Sequence, residues 1–375
     1  MYGSDMTLLS LVRMLDSKRF RAIVLLPLDG PLYRAMREAG IETHITRLVC
    51  VARKTLTLRG LFTLPFEASA SLSAIDKVLE GADVDMVHSN TLAALSGALW
   101  AWRRKVPHLW HVHEIIERPT LARRLFPRMA NWLSDMVVTN SLSTLDWLTS
   151  VAPGLGKKTG CIWNGVERPT PFDAGKAAGF RRSVGASDGD VLVALVGRIN
   201  RWKGQTLLVE AAGILLQKGR RNIRYVIVGS PPNGQEHFRK SLVEKVDSST
   251  ARDFINVVDF TDDVWTVWDA CDIAVVPSTE PEPFGLVAIE AMAAGKPVVA
   301  AAHGGLKEIV IDGETGLFFA PKDAGALADR LGRLASDAAL RGSMGRNGRE
   351  RQKALFSLES HVSSFEKLYE TMARQ

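Results

Sequence analysis

Cysteine is scarce in this chain. Three occur in 375 residues, Cys50, Cys161 and Cys271, far apart and with no C-x-x-C pair. An odd, scattered set builds neither a disulfide framework nor a zinc site, and a reducing cytosol is the default setting. Long hydrophobic runs are also missing. The longest charge-free stretch, 86–102, contains His88, Ser89, Asn90, Thr91 and Ser96, whereas a spanning helix needs about 20 mostly apolar residues. The first residues, MYGSDMTLLSLVRMLD, carry Asp5 and Asp16 and no basic segment ahead of an apolar run. That is not the pattern of a secretory signal. There is no internal repeat, low-complexity tract, RNP-like aromatic motif, zinc finger or basic helix run, so nucleic acid is not an expected partner.

What is present is ordinary globular composition, 46% hydrophobic and 23% charged. At about 150 residues per domain, the length suggests two domains, each able to bury a core. The net charge of +6 is unevenly spread. Residues 1–165 hold 20 of the 47 basic and 14 of the 41 acidic residues, and the remainder is balanced. The first half therefore carries either a solvated basic surface or a face for an anionic partner such as a membrane leaflet. Basic and apolar residues interleave around Arg47, Arg53, Lys54 and Arg59, and again around Arg118, Arg123, Arg124 and Arg128. Such segments either lie on an anionic leaflet or pack ordinarily with snorkelling arginines.

Short apolar runs alternate with helical patterns throughout. Strands are expected at 21–27, 84–88, 108–113 and 136–139, then at 191–196, 225–228, 256–258, 273–276, 297–301 and 316–319. Helices are expected at 6–15, 31–39, 61–79, 92–104, 121–133 and 142–149, then at 205–217, 264–269, 285–294, 306–311, 324–336 and 340–355. This alternation predicts α/β architecture with parallel sheets covered on both faces. Asn-Gly, Arg-Pro and Thr-Pro pairs between 164 and 175 mark a linker. Two doubly wound domains facing a central cleft follow, with ligands beyond the carboxyl ends of the strands.

Two motifs carry chemistry. Strand 273–276 ends in Pro277-Ser278, and the loop STEPEPFG leads into a helix. Backbone N–H groups of Gly285, Leu286 and Val287 then stand at a helix N-terminus, a ready anion site. Glu282 precedes that helix and Glu290 lies in its second turn. The plainer readings are a helix cap for Glu282 and a solvent-facing position for Glu290. In the second motif, GRINRWKG, a strand ends at Gly197 and puts Arg198 and Lys203 on the following loop. Glycine there admits a ligand close to the backbone, and two cations suit a diphosphate. No Asp-x-Asp pair stands on that loop, so the cations would compensate charge in place of a metal. In the first half, His111-Val-His113-Glu114 ends a strand. Alternation puts both histidines on one face, open to a metal reading, a core reading and a substrate-contacting reading.

With these motifs in this order, the chain resembles the retaining family 4 glycosyltransferases of the GT-B fold, glycosyl transferases group 1. The resemblance rests on Glu282 to Glu290 with Pro-Phe-Gly inside, on GRINRWKG and on the turn from His303-Gly304-Gly305 to Glu308. It also rests on Asn164-Gly165-Val166, on HVHE and on YGSD at the start. It implies an N-terminal acceptor-side domain, 1–165, with the last helix, about 358–375, packed back on it. A nucleotide-sugar-binding domain would span 166–357. Arg198 and Lys203 would bind the donor diphosphate, and Glu290 the ribose. Glu282 and the backbone of Phe284 to Val287 would hold the sugar and distal phosphate, with Gly197 beside them and the base near Gly229, Ser230 and residues 260–263. Glu282, Arg198, Lys203 and His113 would be the catalytic set. Gly3, Ser4 and His111 would lie on the acceptor side.

The implied reaction moves a sugar from a nucleotide diphosphate sugar to a glycan or lipid-linked acceptor hydroxyl, with retention and without a metal or other cofactor. Cell-envelope polysaccharide or glycolipid synthesis is the implied setting, in the cytoplasm or peripherally on the inner face of the membrane. An epimerase or hydrolase of the same fold, or an inactive sugar-nucleotide-binding subunit, are the alternatives. One departure stands out: family members begin with a strand that delivers the glycine loop, whereas here only Met1 and Tyr2 precede Gly3. The expectation is a coding sequence that extends upstream by about one strand, five to six residues.

Overall fold

The computed structural model describes residues 3–51, 55, 57–117, 119–169 and 171–374. Met1, Tyr2, Arg53, Lys54, Arg118 and Thr170, singled out above, lie outside the described residues. The chain divides into two compact units, residues 1–165 with 358–375, and residues 166–357.

Unit 1 opens with helix α1 (Gly3–Met14), strand β1 (Ile23–Leu26), helix α2 (Pro31–Glu38) and strand β2 (Glu42–Ile45). β1 and β2 pair in parallel as a sheet of two. Helix α3 (Leu58–Val78) leads to a second parallel sheet, in the order β3 (Val87–Ser89), β4 (His108–Val112), β5 (Met136–Thr139) and β6 (Thr159–Cys161). Its crossovers are α4 (Leu95–Arg104), α5 (Thr120–Leu133) and α6 (Leu142–Val151). Side chains alternate across β4. Trp110 and Val112 meet Ala122, Phe126 and Ala130 of α5 and Leu148 of α6. Leu109 faces the other way, with Val138, onto Leu11 of α1 and onto Val362, Phe365 and Tyr369 of the C-terminal helix, Leu358–Ala373. The last residues of the chain thus complete the core of the first unit.

Gly3 and Ser4 depart from their expected place in a strand-end loop. They form the first turn of α1, where the Gly3 carbonyl accepts the Thr7 hydroxyl at 2.9 Å and the Ser4 carbonyl accepts Asn90 Nδ2 at 3.2 Å.

Unit 2 begins with helix α7 (Ala174–Ser183), strand β7 (Val191–Val196), helix α8 (Gln205–Gln217), strand β8 (Ile223–Val228) and helix α9 (His237–Asp247). It continues with β9 (Ile255–Val258), α10 (Val264–Ala270), β10 (Ile273–Val276), α11 (Leu286–Ala293) and β11 (Val298–Ala301). It ends with α12 (Leu306–Ile309), β12 (Gly316–Phe319), α13 (Ala324–Ser336) and α14 (Ala338–Leu355). One six-stranded parallel sheet results, in the order β12-β11-β10-β7-β8-β9. Continuous apolar runs such as Val191–Val196 suit strands covered on both faces, and five of those six residues are buried. Asp173, Asp263, Asp323 and Asp337 start four of the helices by accepting a backbone N–H three residues on. The chain leaves β7 in one direction along the sheet and β10 in the other. The crevice at their carboxyl ends is therefore the topological switch point, where open α/β sheets take ligands. No described helix in either unit is long and apolar enough to cross a membrane.

Candidate functional site

The loop after β7 and the loop after β10 meet at that switch point. Asn200 Oδ1 accepts the backbone N–H groups of Trp202 and Lys203 at 3.1 and 3.0 Å, which folds the first loop into a turn. Thr279 N donates to the Trp202 carbonyl at 2.8 Å and ties the two loops together. Glycine is required twice at this edge. Gly204 has φ +77°, and a Cβ there would stand 1.9 Å from the Pro277 carbonyl oxygen; one on Gly229 would stand 2.0 Å from the Gly197 oxygen. Any side chain would push the loops apart.

On this frame Lys203 Nζ donates to Glu282 Oε1 at 2.6 Å, and Ser278 Oγ donates to the same oxygen at 2.5 Å. The ion pair is largely buried, with side-chain exposures of 16% and 4%. Lys203 Nζ also lies 4.6 Å from the centre of the Trp202 ring, a cation–π contact. Arg198 is exposed on the same loop, and its carbonyl accepts Gln205 Nε2 at 2.9 Å. The turn after β11 closes the other side: His303 Nε2 contacts the Ser278 carbonyl at 2.8 Å, and Gly305 N donates to the Glu282 carbonyl at 2.8 Å.

Helix α11 starts at Gly285 with φ +119° and no side-chain cap. Its first N–H groups, those of Leu286 and Val287, stand at the positive end of the helix. The Phe284 side chain is buried against Phe356, with ring centres 6.0 Å apart, so only its backbone serves the loop. Glu290, one turn in, accepts Trp268 Nε1 at 3.2 Å, and burial raises its pKa. Sequence reasoning missed Trp268 and Ser278. Trp268 lies on α10, and only the fold brings it beneath Glu290.

In unit 1 the strand ends gather a different set. His113 follows β4 and its Nε2 contacts Asn90 Oδ1 at 3.1 Å. Glu114 accepts the Thr91 hydroxyl and the His113 backbone N–H, and burial raises its pKa. His111 is placed otherwise than an acceptor-side residue requires. Its face of β4 is the one covered by the C-terminal helix, so the ring is fully buried, 4.9 Å from Phe365 centre to centre. Neither His111 nitrogen has a partner among the described groups. His88, His113 and His361 crowd the same ring, with centres 5.4, 3.9 and 6.4 Å away. Burial holds His88 and His113 down to about 3 and His361 to about 4, and lowers His111 as well. The four rings are held neutral; His111 and His361 are buried, while His88 and His113 keep partial exposure. Among the described residues, no three His, Cys, Asp or Glu side chains are arranged to hold a metal ion.

Comparison with known proteins covers both units. Residues 178–351 match the family Glycosyl transferases group 1, and residues 2–168 match Glycosyltransferase Family 4. An uncharacterized glycosyltransferase of Methanocaldococcus jannaschii is 32% identical over 213 residues, 56% of this chain and 53% of that protein. A D-inositol 3-phosphate glycosyltransferase of Kribbella flavida is 29% identical over 312 residues, 78% of this chain and 73% of that protein. The chain thus spans between half and three quarters of these relatives' lengths. Among solved structures, Anabaena HepE in complex with UDP-glucose superposes with a TM-score of 0.83 at 22% identity, covering 99% of this chain and 96% of that one. A glycosyltransferase from Rickettsia africae gives 0.84 at 20% identity, covering 98% and 94%.

Proposed function

Starting from a chain that belongs to the group 1 and Family 4 glycosyltransferases, with their two-domain α/β GT-B fold, we propose that unit 2 binds a nucleotide diphosphate sugar. The sugar then passes, with retention of anomeric configuration, to a hydroxyl of a glycan or lipid-linked acceptor carried by unit 1. One observation carries this reading: Arg198, Lys203, Glu282 and the uncapped start of α11 converge at the switch point of the unit 2 sheet. Arg198, Lys203 and the α11 N–H groups neutralise the diphosphate as it leaves, an electrostatic contribution to the transition state that makes a metal dispensable. Lys203 is held in place by Glu282 until the donor arrives. Glu282 orients the sugar, and Glu290, oriented by Trp268, accepts the ribose hydroxyls. His113 and Glu114 serve the acceptor side of unit 1. The balanced charge of residues 166–375 against the basic excess of residues 1–165 supports peripheral contact of unit 1 with an anionic membrane on the cytoplasmic side, in envelope polysaccharide or glycolipid synthesis. The Anabaena structure with UDP-glucose favours a UDP-sugar donor.

A thermal-shift panel of UDP, GDP and ADP and their sugars tests the donor, because only a tight binder stabilises appreciably. Stabilisation by one nucleotide series is the expected result. No shift with any of them refutes the donor site. Release of free sugar without acceptor, at the rate seen with acceptor, would instead mark a hydrolase.

A further inference from the structure

Helix α5 reads TLARRLFPRMANWL and contains no acid. Its inward face, Ala122, Phe126 and Ala130, is buried in the unit 1 core. Its outward face follows the helical repeat through Leu121, Arg124, Leu125, Arg128 and Trp132. All five are exposed, Leu121 at 58% and Trp132 at 81%. Arg123 is exposed beside them. The neighbouring crossovers continue the pattern. α4, which packs against both α3 and α5, exposes Trp102 at its end. α3 holds Phe62 and Phe66 in solvent at 82% and 80%, and none of its described side chains from Arg59 to Ala70 is buried. Among the described residues, its first buried side chains are Ser71 and Ile75.

An ordinary outer face of a crossover helix is polar and carries both charge signs. Here the only acids near α5 in sequence are Glu117 before it and Asp135 after it; on α3, Glu67 is exposed and Asp76 is paired with Arg103 and Arg104. Arginines interleaved with leucine and tryptophan on one side of a helix match an interfacial segment: the rings and leucines enter the headgroup–acyl boundary and the guanidinium groups meet anionic headgroups. A protein partner would have to supply acids opposite Arg123, Arg124 and Arg128 and an apolar surface for three helices. A leaflet containing anionic lipid supplies both at once. The basic excess of residues 1–165 has the same sign.

We infer that the outward face of α5, flanked by Trp102 of α4 and Phe62 and Phe66 of α3, is the surface by which this chain lies on an anionic lipid leaflet. The inference names the surface behind the membrane contact proposed above and rests on that reading, but not on the identity of donor or acceptor.

The experiment is flotation of the full chain with phosphatidylcholine vesicles, with and without phosphatidylglycerol, at about 0.05 M and about 0.5 M salt. Two double variants are compared: Arg124→Gln with Arg128→Gln, and Leu125→Gln with Trp132→Gln. The expected result is binding only with phosphatidylglycerol, weakened by salt. The arginine pair should lower it by roughly twentyfold, since each basic residue near an anionic surface is worth about fivefold. The apolar pair should lower it by roughly tenfold at unchanged charge. Equal binding to both vesicle types, no binding at low salt, or unchanged binding in both variants would overturn the inference. So would a concentration-dependent dimer abolished by the same substitutions, which would make the face a contact between copies. Nucleotide-induced stabilisation of each variant shows that it is folded. It also separates failure at this surface from failure of the donor reading, which would leave flotation intact and remove the nucleotide response.

Discussion

The two units solve the same architectural problem with different materials. Unit 2 has one sheet of six parallel strands, filled across its centre by β7, β8 and β10 with Val, Leu, Ile and Ala. Unit 1 has two sheets, of two and of four strands, with no described ladder joining β1 to β3. It borrows the C-terminal helix to finish its core, and where that helix meets β3 and β4 the filling is imidazole: His88, His111 and His361. Unit 2 fills its sheet with apolar side chains and sets the Arg168–Asp269 and Arg181–Asp272 pairs at the edge opposite the ligand loops, whereas unit 1 packs a cluster of histidines between sheet and helix. Stability in unit 1 is therefore tied to proton activity, and function in unit 2 to a few charged side chains.

The largest expected effect follows from that contrast. The pKa values of His88, His113, His361 and His111 are all depressed in the folded chain, so unfolding takes up protons once the pH drops below the ordinary histidine value. The stability they lend is complete above about pH 6.5 and is lost as the pH falls toward 3 to 4. His88, His113 and His361 each contribute on the order of 1 kcal/mol per pH unit within that window, and His111 adds to the loss in the same direction. Unit 1 should open near pH 5 while unit 2 stays folded. Hydrogen exchange at about pH 5 and about pH 7.5 checks it. Uniform protection in both units at the lower pH, or earlier loss in residues 166–357, would break the comparison.

Next comes turnover. Arg198→Ala and Lys203→Ala should each lower it by roughly 10²-fold or more, as for a lost charge-stabilising donor. Lys203→Ala should in addition destabilise unit 2, because it leaves the nearly buried Glu282 carboxylate with Ser278 alone. Steady-state kinetics with and without divalent ions tests this. Near-normal rates in both variants, or a strict requirement for the ion, would count against charge compensation by these residues.

Smaller still is the division between the two glutamates. Glu290→Ala should weaken free nucleoside diphosphate by roughly 1–3 kcal/mol. Glu282→Ala should change the nucleotide less than the nucleotide sugar. Calorimetric titration of both variants with each ligand separates the roles, and equal losses would merge them. Trp268→Phe belongs to the same series. It removes the donor that favours ionised Glu290, so nucleotide binding should weaken most at the acid end of the working range.

What the sequence revealed follows the same division. The strands β7, β10 and β11 of unit 2 were readable because they are unbroken apolar runs, and its loops because glycine, cations and carboxylates sit beside the strand ends. β2, Glu42-Thr-His-Ile45, and β6, Thr159-Gly-Cys161, have no apolar run to announce them. α9, with His237, Arg239, Lys240, Glu244, Lys245 and Asp247, is mostly polar and packs little. The contacts that finish each site are long-range. Lys203 reaches Glu282, Trp268 reaches Glu290, and His361 reaches β4 across most of the chain. Periodicity is local and cannot report them. His111 shows the limit well. Its strand and face were legible, but the helix that buries that face comes from the other end of the sequence.

That helix gives the smallest of the expected effects and the most direct check on how unit 1 is held. Tyr369 is buried on the C-terminal helix, and its hydroxyl lies 2.7 Å from His88 Nδ1 on β3. His88 Nε2 has no partner among the described groups, so the Tyr369 hydroxyl is the ring's one hydrogen-bond partner among them. Tyr369→Phe keeps the aromatic packing against Phe20 and Phe365 and removes only the hydroxyl. A typical buried hydrogen bond is worth about 1 kcal/mol net, and stranding the partner costs about 1–3. The variant should therefore lose about 1–2 kcal/mol, all of it from unit 1. In denaturant titrations followed by hydrogen exchange, residues 1–165 and the C-terminal helix should lose protection together, while β7, β8 and β10 keep theirs. Loss confined to the C-terminal helix would mean that it is an appendage. Joint loss would mean that the last residues of the chain are part of the cooperative core of the first unit.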